Sequence, residues 1–222
     1  MYIIIAGGGI VGRKVAKSLV KDHDVVVIDK DKNTCEKIYS NYGAITIHGD
    51  ATNIEVLKDA KIDKCDIALS VMRYDSDNLV FTLLANNFNV KDIFVRMREP
   101  EYKNAYELAG ATNIAAGVDM MVEKFIMDIN QPDIRKVASL RNGKAEISII
   151  KIPKKAKCSG KTISEIASHN KFPNNCVIAG IFDIKEDRLI IPRGDKKIYA
   201  GNQVFLVAPK EGIEKAAKVL RE

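Results

Sequence analysis

The sequence predicts an α/β protein, with an N-terminal Rossmann-like doubly wound parallel sheet followed by a small α+β C-terminal domain. Three observations carry this expectation. An apolar run enters a glycine fingerprint within the first twelve residues, strands and helices alternate from Tyr2 to Ala115, and from Ala145 the pattern changes to short strands and turns.

Tyr2-Ile3-Ile4-Ile5-Ala6 is uninterrupted and rich in isoleucine, as expected of a parallel strand buried on both faces. It leads into Gly7-Gly8-Gly9-Ile10-Val11-Gly12, a G-x-G-x-x-G pattern. In this pattern Gly7 permits the tight strand-to-helix turn, Gly9 lets the backbone approach a pyrophosphate, and Gly12 lets helix and strand pack closely. The next segment sets Val11, Val15, Leu19 and Val20 on one side of a helix, with Arg13, Lys14, Lys17 and Lys21 mostly on the other. Its N-terminus would point unpaired N–H groups at phosphate. Val25 to Ile28 reads as a second strand ending in Asp29, 22 residues after Gly7. An acid near that spacing accepts hydrogen bonds from an adenosine ribose and repels a 2′-phosphate, an exclusion that Lys30 and Lys32 soften. Strand, glycines, helix and acid together predict nucleotide binding.

The alternation continues with a helix over Asp31 to Tyr42, a strand over Ala44 to Ile47 and a short helix over Ile54 to Ala60. Ile67 to Val71 reads as strand, Ser76 to Asn87 as helix, Asp92 to Arg96 as strand, Tyr102 to Ala109 as helix and Thr112 to Ala115 as a sixth, shorter strand. A nucleotide should then lie at the carboxyl ends of the strands, where strand order reverses. Val118 to Ile129 is helix-compatible, and Gln131-Pro132-Asp133 interrupts it before a second short helical stretch. The boundaries that follow are a nucleotide-binding domain over 1–118, a connecting element over 119–136 and a C-terminal domain over 137–222. Strands are expected there at Glu146 to Ile152, Cys176 to Asp183, Arg188 to Ile191 and Gln203 to Ala208, with helices at Thr162 to Ser168 and Glu211 to Leu220. Ser159-Gly160-Lys161-Thr162 has the look of a P-loop end, but Lys155 stands where its first glycine belongs, and a capping turn is the better reading.

The 222 residues are 46% apolar, ample for a sizeable core. No apolar run reaches bilayer length and the chain starts directly with a strand, so a cytoplasmic protein without a cleaved signal is expected. Cys35, Cys65, Cys158 and Cys176 form no C-x-x-C pair, and His23, His48 and His169 are scattered, which argues for free thiols and against a metal centre. The net charge of +6 divides into −2 over residues 1–120 and +8 over residues 121–222. The lysines lack interleaved aromatics, so no nucleic-acid partner is expected.

Four stretches carry a family resemblance: Ile5 to Gly12; Val27-Ile28-Asp29-Lys30-Asp31; His48-Gly49-Asp50-Ala51-Thr52; and Val95-Arg96-Met97-Arg98 with Tyr102 and Gly110-Ala111. Over its whole length the chain resembles the cytoplasmic regulatory subunits of Trk/Ktr potassium uptake systems, the RCK or KTN proteins, in which a TrkA-N domain precedes a TrkA-C domain. The resemblance implies adenine contacts from Asp50, Ala51 and Thr52; an N-cap role is the alternative for Asp50. Arg96 would reach phosphate, or else pair with Asp75, Asp77 or Glu99, and Asn78 would help close the phosphate site or cap a helix. The predicted nucleotide site is therefore Gly7, Gly8, Gly9, Ile10, Val11, Gly12, Asp29, Asp50, Ala51, Thr52, Asn78 and Arg96. Some relatives that discriminate ATP from ADP carry an arginine between the second and third glycines, where this chain has Ile10 and Val11; NAD(H) is accordingly favoured, with ATP/ADP as the alternative.

The resemblance further implies no enzymatic activity. It implies dimerisation through the Rossmann domains into a larger ring, and docking at the inner membrane face on a TrkH/KtrB-like potassium-translocating subunit. No residue assigns a second effector such as cyclic di-AMP. The rival readings are an NAD-dependent oxidoreductase, for which Tyr-x-x-x-Lys is lacking and His169 has no evident partner, and a nucleotide sensor for another membrane complex.

Overall fold

A computed structural model describes residues 1–140 and 144–222, which form two compact units, residues 1–122 and residues 123–222. The first unit begins with β1 (Tyr2–Ala6), α1 (Ile10–Leu19), β2 (Asp24–Asp29), α2 (Lys32–Tyr42), β3 (Ile45–His48) and α3 (Ile54–Asp59). It continues with β4 (Ile67–Ser70), α4 (Asp75–Asn87), β5 (Asp92–Met97), α5 (Lys103–Leu108) and β6 (Asn113–Ala116). Every strand pair is parallel, in the order β3-β2-β1-β4-β5-β6. The reversal of direction between β1 and β4 opens a crevice at the strands' carboxyl ends.

Why the first strands lack polar alternation is visible in their packing. Ile4 and Ile28 enter one core and Ile5 and Val27 another, because helices cover both faces of the sheet. At the far side Tyr106 is fully buried, and its hydroxyl donates to the Asp75 carboxylate at 2.8 Å. Burial first, and then the neighbouring Asp75 carboxylate, pushes the Tyr106 phenol pKa upward, so it stays a donor.

Helix α6 (Gly117–Asn130) runs from the first unit into the second. The second unit adds β7 (Ile134–Leu140), β8 (Ala145–Lys151), α7 (Ile163–Ala167), β9 (Val177–Asp183), β10 (Arg188–Ile190), β11 (Gln203–Ala208) and α8 (Lys210–Arg221). Its sheet is antiparallel, in the order β10-β9-β11-β8-β7. One expectation is overturned: the chain after Gln131-Pro132-Asp133 forms strand β7 and not a second helical stretch. Ile134 pairs with Ile150 and is buried against it, and a bulge between Lys136 and Ala138 breaks the alternation that would have announced a strand. Thr162 begins α7 in a full capping box with Glu165, as the turn-and-cap reading requires. Among the described residues no helix is long and apolar enough to cross a membrane.

Candidate nucleotide site

A cavity of about 570 Å³ lies at the carboxyl ends of β1, β2 and β4, where the strand order reverses. Gly7 makes the turn out of β1 with φ +102°, a conformation that disfavours any side chain. A Cβ on Gly12 would overlap the Gly7 carbonyl oxygen, so Gly12 serves helix–strand packing. On Gly8 it would come within 2.7 Å of Ile38 and 2.8 Å of Thr34, which is packing again. Only Gly9 of the fingerprint faces space, where a Cβ would meet nothing within 4 Å. Helix α1 starts there without a side-chain cap, leaving its first N–H groups for a ligand. Ile10 and Val11 are exposed and line the cavity; Val11 does not join the apolar face of α1 that the sequence pattern assigns it to.

Asp29 ends β2 on the opposite wall. Its Oδ2 accepts from the Gly8 N–H at 2.6 Å and its Oδ1 from the Asp31 N–H at 2.8 Å. A carboxylate offers about four lone-pair sites, so one on each oxygen remains for a ligand's hydroxyls. The next loop is tied to this edge by the Gly49 N–H donating to the Asp29 carbonyl and by His48 Nε2 at 3.0 Å from the Lys30 carbonyl. Gly49 and buried Ala51 line the cavity, while Asp50 and Thr52 stand behind them. Asp50 accepts from the Thr52 N–H at 2.9 Å and pairs with Lys30 at 2.9 Å. Burial works to raise its pKa, but the Thr52 and Lys30 hydrogen bonds prevail and hold it below the usual carboxylate range. The N-cap of α3 is Asn53, not Asp50.

The third wall follows β4. Arg96 Nη2 donates to the Met72 carbonyl at 2.8 Å, and its buried Nε has no partner among the described residues. Among the described residues Arg96 makes no ion pair, and Asp75 instead accepts from the Arg98 and Glu99 N–H groups. Asn78 lies inside α4, fully buried, and does not reach the cavity. It accepts from Ser70 Oγ at 2.6 Å and the Met72 N–H at 2.9 Å, and donates to the Met72 and Arg96 carbonyls. It therefore fixes the β4 and β5 ends from behind. Sequence reasoning missed Met72, Arg73 and Tyr74, which complete this wall, with the Arg73 guanidinium 5.4 Å from the Tyr74 ring centre. The available signal was their position just after the strand that flanks the reversal.

The structure thus brings Gly7, Gly9, Ile10, Val11, Asp29, Ala51 and Arg96 onto one cavity and places Gly8, Gly12, Asp50, Thr52 and Asn78 around it. An uncapped helix N-terminus, an anchored carboxylate with free lone pairs and a guanidinium on the cavity wall fit a phosphate-bearing nucleoside.

The TrkA-N domain model matches residues 3–116, and the TrkA-C domain model matches residues 147–221. The chain belongs to the TrkA family. It is 32% identical over 219 residues to a Trk system potassium uptake protein TrkA homolog of Archaeoglobus fulgidus, covering 96% of this chain but 48% of that one. A TrkA homolog of Methanothermobacter thermautotrophicus is 26% identical over 219 residues, covering 98% of both chains. This TrkA-family chain therefore spans about half the length of the first relative and nearly all of the second. Among solved structures, the GsuK channel bound to NAD aligns over the whole chain and 39% of its own, with TM-score 0.67 and 17% identity. GsuK bound to ADP aligns over 60% of this chain and 35% of its own, with TM-score 0.52 and 18% identity. At such identities the shared property is the fold.

Proposed function

We propose that this TrkA-family protein is a regulatory subunit that binds an adenine nucleotide, NAD(H) before ATP or ADP, and thereby gates a membrane potassium-translocating subunit. The observation that supports it most is the cavity at the strand reversal, walled by Gly9, Asp29 and Arg96, which has no ion-pair partner among the described residues. In this reading the phosphates lie over Gly9 and the α1 N-terminus, the Arg96 guanidinium meets them, the ribose hydroxyls donate to Asp29, and the adenine rests on Gly49 and Ala51. NAD(H) is preferred over ATP or ADP because Ile10 and Val11 offer a terminal phosphate no charge, and NADP is disfavoured because the Lys30 ammonium is held by Asp50. The structures of GsuK with NAD and with ADP are consistent with either ligand on this fold.

The cleft's chemistry is that of binding, since Asp29 is already fixed by two backbone donors and serves as an acceptor rather than a proton shuttle. The signal would be a difference in affinity between two conformations of a homodimer or ring docked on a TrkH/KtrB-like partner at the inner membrane face. A coupling of about 1–3 kcal/mol is enough. Calorimetric titration with NADH, NAD⁺, ATP and ADP, repeated with Asp29→Ala, tests the site. Binding to the native chain that the substitution weakens at least about tenfold, with no consumption of NADH, is expected; no binding by any of the four removes the sensor reading.

A further inference from the structure

We propose a second small-molecule site, in the C-terminal unit, that takes an amino-acid-sized zwitterion. It does not depend on the nucleotide reading. A cavity of about 390 Å³ lies between the second half of α6, strands β7 and β8, and the first turn of α8. That volume is at the small end of the range of ligand pockets, about 300–1,000 Å³.

Its floor is polar where the rest of that sheet face is apolar. Glu146, Ser148 and Ile150 are the buried positions of β8, and Leu206 on β11 and Lys136 on β7 flank Ser148. Lys136 Nζ holds Glu146 Oε1 at 3.0 Å, with the Glu146 side chain 6% exposed. Ser148 is 0% exposed, and among the described residues its Oγ has no hydrogen-bond partner. A buried hydroxyl without a partner weakens a fold, and an alanine would serve this packing better. Ser148 lines the cavity, so an acceptor placed there would give the hydroxyl its partner.

The rim defines what that is. Lys210, Glu123 and Glu214 line it, and among the described residues none of the three forms an ion pair. With Lys136 and Glu146 counted, three carboxylates against two ammonium groups leave the lining at −1, which disfavours a polyanion such as a nucleotide. A molecule with both charges satisfies the set. Its carboxylate would accept from Ser148 Oγ and Lys210 at the start of α8, while its ammonium would face Glu214 or Glu123.

The test is calorimetry on the full chain with each of the twenty proteinogenic amino acids, for the native protein, Ser148→Ala and Glu214→Gln, with nucleotide titrations in parallel. At least one amino acid should bind saturably, and each substitution should weaken it at least about tenfold. Ser148→Ala should also melt no lower than the native chain and bind nucleotide equally well, which separates a ligand contact from a structural one. No binding by any amino acid, as when a second copy's side chain fills the cavity, overturns the proposal. So does undiminished binding by Ser148→Ala.

Discussion

The glycines of the fingerprint look alike in sequence, yet their surroundings assign them opposed tasks. A methyl group on Gly12 would collide with the Gly7 carbonyl, whereas one on Gly9 would meet nothing within 4 Å. Gly12→Ala should therefore destabilise the fold by about 1–3 kcal/mol or more, read as a lowered denaturation midpoint. Gly9→Ala should leave stability within about 0.5 kcal/mol while reducing nucleotide affinity at least tenfold, because the added methyl occupies the phosphate's approach. Equal affinity for Gly9→Ala and the native chain would place the phosphate elsewhere. Asp29 was legible from its spacing alone, because the distance from the first glycine along α1 and β2 is set by regular geometry. Asn78, near a helix start, and Arg96, near a strand end, were legible as polar residues beside the cleft, but not in their division of labour. Only packing shows that the Asn78 amide is consumed by Ser70, Met72 and Arg96 backbone and side-chain groups, while Arg96 keeps one N–H unpaired.

Among the elements, α6 carries the strongest unmet demand. Met121, Val122, Phe125, Ile126 and Ile129 fall in two adjacent columns of the helix, and each is exposed. A stripe with that spacing is self-complementary, since ridges four residues apart interlock with their own copies about a two-fold axis. We propose the Met121, Phe125 and Ile129 column, which lies off the second cavity, as a homodimer contact to be tested against the Rossmann faces. Phe125→Glu with Ile129→Glu should halve the mass measured by light scattering and shift the monomer's stability by no more than about 0.5 kcal/mol, because both side chains are already exposed. An unchanged mass would return the contact to the Rossmann unit. The neighbouring β7 shows where element-level reading fails. Its seven residues are too few to separate helical from strand periodicity, and the bulge at Lys136 to Ala138 shifts the alternation midway.

For the molecule as a whole, the two units have separate hydrophobic cores, one built on the parallel sheet and one on the antiparallel sheet. Every residue lining the proposed nucleotide cavity belongs to the first. The fragment 1–122 should then bind nucleotide within about threefold of the full chain, a difference of less than about 1 kcal/mol, and the fragment 123–222 should bind none; calorimetry on both fragments checks this. A fragment 1–122 that folds but does not bind would mean that the C-terminal unit completes the site. The sequence by itself determined the doubly wound class, the element order of the first unit, the glycine and acid edges of the cleft and the family. These are recorded in local period and spacing, which survive without knowledge of the partners. Tertiary structure alone decided that β7 joins the second sheet, that Met72, Arg73 and Tyr74 close the cleft, and that the Ser148 hydroxyl has no hydrogen-bond partner among the described residues. Each of these depends on which distant strands become neighbours, and burial and hydrogen-bond satisfaction are properties of the neighbour rather than of the residue.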